Sequence, residues 1–193
     1  MGGDICTICC GTEREQTVHC PLECEYLQES RRHNTAPTMS LDDFPNKDIR
    51  VSEEFLETHR SLLFWLTVSL TRAALETPNV IDNDVKTALD ALIKTYRTLQ
   101  SGLIYESRPD NPIAGAIYER VQAAVEEYRK RLAEERGMSS VRDAEVLGIL
   151  AFLQRLEIQF NNGRRLGRAF IDNLRTSFPV QPPESQQEPS IIL

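Results

Sequence analysis

The chain has 193 residues, with 22 Lys and Arg against 29 Asp and Glu for a net charge of −7, and 40% of its residues are hydrophobic. That is the composition of an ordinary globular protein with one core. No apolar run approaches the ~18 to 20 residues that span a bilayer, and Met1-Gly-Gly-Asp-Ile-Cys6 has none of the features of a signal peptide. The acidic balance argues against general nucleic-acid binding, which needs excess Lys and Arg to displace counterions.

All five cysteines, Cys6, Cys9, Cys10, Cys20 and Cys24, fall at the beginning of the sequence. Core thiols would be scattered, so the clustering points to chemistry. Without a signal peptide, a reducing, cytoplasmic setting is expected, where close cysteine pairs hold metal more often than they form disulfides. Cys6-x2-Cys9 and Cys20-x3-Cys24, separated by a short loop, can deliver four thiolates to a tetrahedral ion at ~2.3 Å. The expected metal is structural Zn2+ on Cys6, Cys9, Cys20 and Cys24. An iron–sulfur cluster or metal-free thiols are the alternatives. Four protein ligands leave no open position, so such a zinc staples the fold and activates no water. Cys10 is the odd thiol, which either replaces Cys9 as a ligand or serves as a small non-ligand residue. His19 could compete as a donor, although four cysteines suffice without it.

The segment Cys6-Thr-Ile-Cys9-Cys10-Gly11 resembles the knuckle of zinc-ribbon and treble-clef fingers. Residues 12–19 are long enough for a minimal hairpin, and residues 20–32 read as a helix with Cys20 at its N-cap, Pro21 at its first position and Cys24 one turn on. Knuckle, hairpin and helix together are similar to a treble clef, over residues 5–33 only. The resemblance implies a four-cysteine zinc finger at residues 1–33. This finger carries more acidic than basic residues, which disfavours DNA reading.

Residues 34–51 contain two prolines and little periodicity and read as a linker, pinned to the body by Phe44 or Ile49. From Ser52 the pattern is helical. The first long helix should run to about Glu76 with Phe55, His59, Leu62, Leu66 and Leu70 on its seam. A second spans about Asp82 to Glu106, with Val85, Leu89, Leu92, Tyr96, Leu99 and Leu103 at alternating spacings of 4 and 3. That is the rhythm of helices packed at shallow angles. Asn111 caps a third helix, with Pro112 at its first position and Gly137 at its end. Ser140 and Asp143 open a fourth helix, which runs to Phe160. Asn161-Asn162-Gly163 predicts a break before a fifth, shorter helix ending near Ser177. The expected fold is therefore mainly α, an antiparallel four- to five-helix bundle over residues 52–177 with a small zinc finger in front. A disordered, Pro-rich tail is expected over residues 178–193, with Ile191, Ile192 and Leu193 at its tip.

Catalysis is disfavoured. The body has one histidine, no inward Glu-x-x-His pair, no phosphate loop, no Gly-x-Ser-x-Gly and no cysteine nucleophile. The expected function is that of a zinc-binding interaction or adaptor protein with an unidentified protein partner and no membrane association, self-association being left open. Two features mark candidate partner sites: Arg164, Arg168 and Arg175 in the last helix, and the tip Ile191, Ile192 and Leu193, which reads equally as a peptide hook for a partner or as a segment that folds back onto its own bundle. The alternatives are a subunit of a larger assembly, a thiol redox sensor, or an RNA or phosphate binder acting through the last helix.

Overall fold

The structure is a computed structural model and describes residues 6–33, 44–137 and 141–179. Among these are eight helices and no strand: α1 (Thr7–Glu13), α2 (Glu25–His33), α3 (Glu53–Thr58), α4 (Arg60–Glu76), α5 (Asp82–Gln100), α6 (Pro112–Arg136), α7 (Asp143–Phe160) and α8 (Ala169–Ser177). The protein is mainly helical, and none of its helices is long and apolar enough to cross a membrane.

Most seam positions read from the sequence form the core, but Leu103 lies beyond α5 and is exposed, and Phe55, His59 and Leu99 are only partly buried. Leu62, Leu66 and Leu70 of α4, Val85, Leu89, Leu92 and Tyr96 of α5, Ile117 and Val121 of α6, and Leu147, Leu150 and Leu153 of α7 are all buried in one cluster. Phe170, Ile171 and Leu174 of α8 complete it. The side chain of Asn111 accepts from the Ile113 amide at 2.9 Å, and Gly137 ends α6 with φ 74°, so both boundary signals of α6 act as expected.

Three expectations change. The first long helix is two helices, divided at His59 (φ −105°, ψ 23°), whose ring packs on Phe55 at 4.6 Å. The second stops at Gln100, not Glu106. The Gly102 amide bonds the Leu99 carbonyl at 2.9 Å and the Leu103 amide bonds the Thr98 carbonyl at 3.0 Å, with Gly102 at φ 78°. This glycine-terminated Schellman arrangement satisfies the last carbonyls and turns the chain out of the helix.

The third change concerns direction. The Asp84 carboxylate accepts from the Asn111 side chain at 2.6 Å near the starts of α5 and α6, and Thr95 meets Tyr118 at 3.1 Å further along both. The two helices therefore run the same general way, and residues 101–111 return along them as an extended connection. An antiparallel neighbour on a short loop does not hold for this pair. Nor do α4 and α5, or α6 and α7, pack closely across their short connections; the main neighbours are α5 with α7 and α4 with α6, the latter running antiparallel, with Trp65 meeting Ala124 and Glu76 meeting Arg120.

The linker is pinned more by polar groups than by apolar ones. Asn46 donates to Gln154 at 2.9 Å and accepts from Arg97 at 2.8 Å, while Arg155 donates to the Ile49 carbonyl at 2.7 Å. Ile49 packs against the core and Phe44 is half-buried. Ser140, linker residues 34–43 and tail residues 180–193, with Ile191, Ile192 and Leu193, lie outside the described residues.

Candidate functional site

Cys6 caps α1: its sulfur accepts from the Cys9 amide at 3.3 Å. That bond stabilises the thiolate and holds the Cys6 thiol below its ordinary range, while the proximity of Cys6 and the charge of Glu13 push the Cys9 thiol up. Cys10 lies in the same helix, bonded through its amide to the Cys6 carbonyl at 2.8 Å. Residues 7–13 are thus helical where a knuckle is expected. The hairpin expected at residues 12–19 is a tight turn closed by one isolated bridge between Arg14 and Val18. The following helix begins at Glu25, so Cys20 is no N-cap; its thiol points to the Val18 carbonyl at 3.8 Å, and Cys24 lies just before the helix. All five cysteines are free thiols. Among the described residues, no three His, Cys, Asp or Glu side chains are placed to share an ion.

What holds this segment on the body is Glu15, which the sequence reading passed over. It sits at φ 54°, in the left-handed region, and is 2% exposed. One carboxylate oxygen accepts from Arg31 at 2.7 Å and from the Arg168 amide at 3.0 Å, and the other accepts from Asn162 at 2.8 Å. Its carbonyl accepts from the Leu166 amide at 2.7 Å. A buried carboxylate is tolerated only when so fully partnered. Arg31 spans the joint, reaching Asp172 of α8 at 2.6 Å with its other arm. Leu22 and Leu27 are buried beneath these bonds, Leu22 within the main core.

The three candidate arginines serve the same joint. Arg164 and Arg168 lie in the loop before α8, not in the helix, because the chain leaves α7 at Asn161 and re-enters helix only at Ala169. The Arg164 guanidinium donates to the Arg14 carbonyl, and Arg175 bonds Glu23 at 3.0 Å and Asp172 at 2.8 Å. The expected single basic helix face does not form. The Arg164 and Arg175 guanidinium groups turn onto the cysteine segment, whereas Arg168 meets it through its backbone amide at Glu15.

A second buried carboxylate underlies the joint. Asp82, at the start of α5 and 1% exposed, accepts from the Phe170 and Ile171 amides at 3.0 and 3.1 Å, and so caps α8 from another helix. Burial, opposed by those two amides and reinforced by the charges of Glu157 and Glu15, pushes its pKa up to about 7. Glu157, also fully buried, is shifted upward by burial too.

A different feature faces solvent. In the connection after α5, Leu103, Ile104 and Tyr105 are exposed, Ile104 at 94%. This stretch is held in place by the backbone: Thr98 donates to the Tyr105 carbonyl at 2.8 Å, and the Ser107 amide donates to Thr95 at 2.9 Å. No family model, curated protein or solved structure matches the chain.

Proposed function

We propose that this chain is a non-enzymatic interaction protein that binds one structural zinc ion through a treble-clef-like four-cysteine segment and presents an apolar loop to a protein partner. The observation that carries the interaction reading is the ordered exposure of Leu103, Ile104 and Tyr105. Three consecutive large apolar side chains fixed outward by their own backbone form a patch that association with a partner would cover.

The zinc reading is supported by the donor set and by what α1 lacks. α1 has seven residues and buries none of them. An isolated helix of that length is not stable in water, and a segment without a core of its own depends on a staple. Leu27 and Arg31 anchor α2 on the body, beside the segment that carries Cys20 and Cys24. Zinc would supply folding free energy there and no catalysis.

Elemental analysis and a zinc titration against a chromophoric chelator test this reading. One zinc per chain is expected, lost in Cys6→Ser, Cys20→Ser and Cys24→Ser and retained in Cys10→Ser. A chain that takes up no zinc, or that shows visible absorbance from iron, overturns it. For the interaction, replacing Leu103, Ile104 and Tyr105 by Ser should abolish a specific complex while leaving helicity unchanged.

The low thiol pKa of Cys6 beside Cys9 favours a second reading, in which mild oxidation joins the two and expels the metal. Zinc retained after mild peroxide treatment would exclude it.

A further inference from the structure

We propose that the apolar groove between α4, α6 and α7 receives this chain's own Ile191, Ile192 and Leu193, so that the tail docks in cis. The proposal does not depend on the metal. The groove encloses about 690 Å3 and is lined by Phe64, Trp65, Phe152, Leu156 and Phe178. That volume is typical of a cleft that takes a small ligand or a few side chains. Phe64 is 59% exposed on its wall.

Three observations select the tail as occupant. First, the chain enters the groove where the described residues stop. Phe178 packs against Phe64 with ring centroids 6.4 Å apart, and only Pro179 follows it. Residues 180–193 span at most roughly 50 Å when extended, so a tip tethered at the groove's own wall reaches every part of it.

Second, that stretch is polar and Pro-rich except for Val180 and the triplet Ile191, Ile192 and Leu193. The triplet is the only apolar cluster available to fill the groove from this tether. Third, the rim offers two arginines to the tail's acidic residues, balanced at present by Glu57 and Glu135. Residues 180–193 carry Glu184 and Glu188 and no Lys or Arg. The groove rim presents Arg60 and Arg131, each in a solvent-exposed pair, with Glu57 at 3.6 Å and Glu135 at 3.1 Å respectively. Exposed pairs of this kind exchange partners at little cost. A short tether also places the tip at an effective concentration on the order of millimolar, so an affinity too weak to matter between molecules suffices within one.

Trp65 is the only tryptophan and lines the groove, its ring N–H bonded to the Ala124 carbonyl at 2.8 Å and Arg131 lying 5.7 Å over its face. It reports occupancy directly. The test compares the full chain with a variant carrying Ile191→Ser, Ile192→Ser and Leu193→Ser. In the variant, Trp65 emission should shift to longer wavelength and acrylamide quenching should rise severalfold, with far-UV circular dichroism unchanged. A synthetic peptide of residues 184–193, added at roughly the millimolar concentration that the tether provides, should reverse both changes in the variant and leave the native chain unaffected.

Phe64→Ser, at an exposed position, should speed removal of the last residues by carboxypeptidase severalfold. Identical Trp65 signals in native and variant chains overturn the proposal. So does a native signal that changes over a hundredfold range of protein concentration, which would place the tail in a second copy's groove.

Discussion

Asp82 carries the clearest consequence of a single side chain. Its pKa lies near 7 in the folded chain against 3.8 unfolded, so the folded state binds the extra proton between those values. Its contribution is fully present below about pH 4 and is lost as pH rises toward 7, on the order of a few kcal/mol in all. Asp82→Asn keeps one acceptor for the two α8 amides and cannot ionise. Urea unfolding should show the variant about 1–2 kcal/mol less stable at pH 5. The gap between variant and native should close and then reverse as pH rises to 8, because the native chain loses more than that gap once Asp82 ionises, and a gap that widens would refute the assignment. Neither Asp82 nor Glu15 was legible as a buried residue. In the sequence Asp82 reads as an ordinary first-turn acid and Glu15 as one charge in an acidic finger. Only the meeting of segments far apart in the chain makes either of them structural.

At the scale of elements, boundaries carried by local chemistry were legible: Asn111-Pro112, Gly137 and the break after Phe160 all stand where the residues put them. The stop at Gln100 was also available, since Ser101-Gly102 is a terminating pair, but the apolar repeat through Leu103 outweighed it. The division at His59 was not, because no Pro or Gly marks it. Its cause is tertiary: α3 leaves the line of α4 to lay Phe55 on α7. A Cβ at Gly148 would stand 2.5 Å from the Phe55 ring. Gly148→Ala should therefore cost about 1–3 kcal/mol by displacing the ring, despite a helix-propensity gain of about 1 kcal/mol. In a Phe55→Ala background the clash is gone, and the same substitution should become stabilising. A double-mutant cycle by chemical denaturation checks the sign change.

For the whole molecule, the sequence divides a finger from a helical body, and composition offers no reason to join them. The joint is made by Glu15, Arg31 and Asp172 over a floor of Leu22 and Leu27, which places residues 15–33 in the same packed unit as α8. One cooperative transition follows from that packing, because removing the floor exposes the core of α4 and α8 as well. Leu22→Ala, in the segment between the cysteine pairs, should lower global stability by about 2–5 kcal/mol, as a core truncation does. Its unfolding should remain a single step by both far-UV circular dichroism and Trp65 fluorescence. Glu15→Ala leaves one arm of Arg31, the Asn162 side chain and the Arg168 amide without their acceptor and should act in the same direction. Added zinc should raise the midpoint of that one transition with increasing metal concentration, as any ligand of the folded state does. Two separated transitions, with only the first sensitive to zinc or to Leu22→Ala, would mean that the cysteine segment folds apart from the helices it rests on.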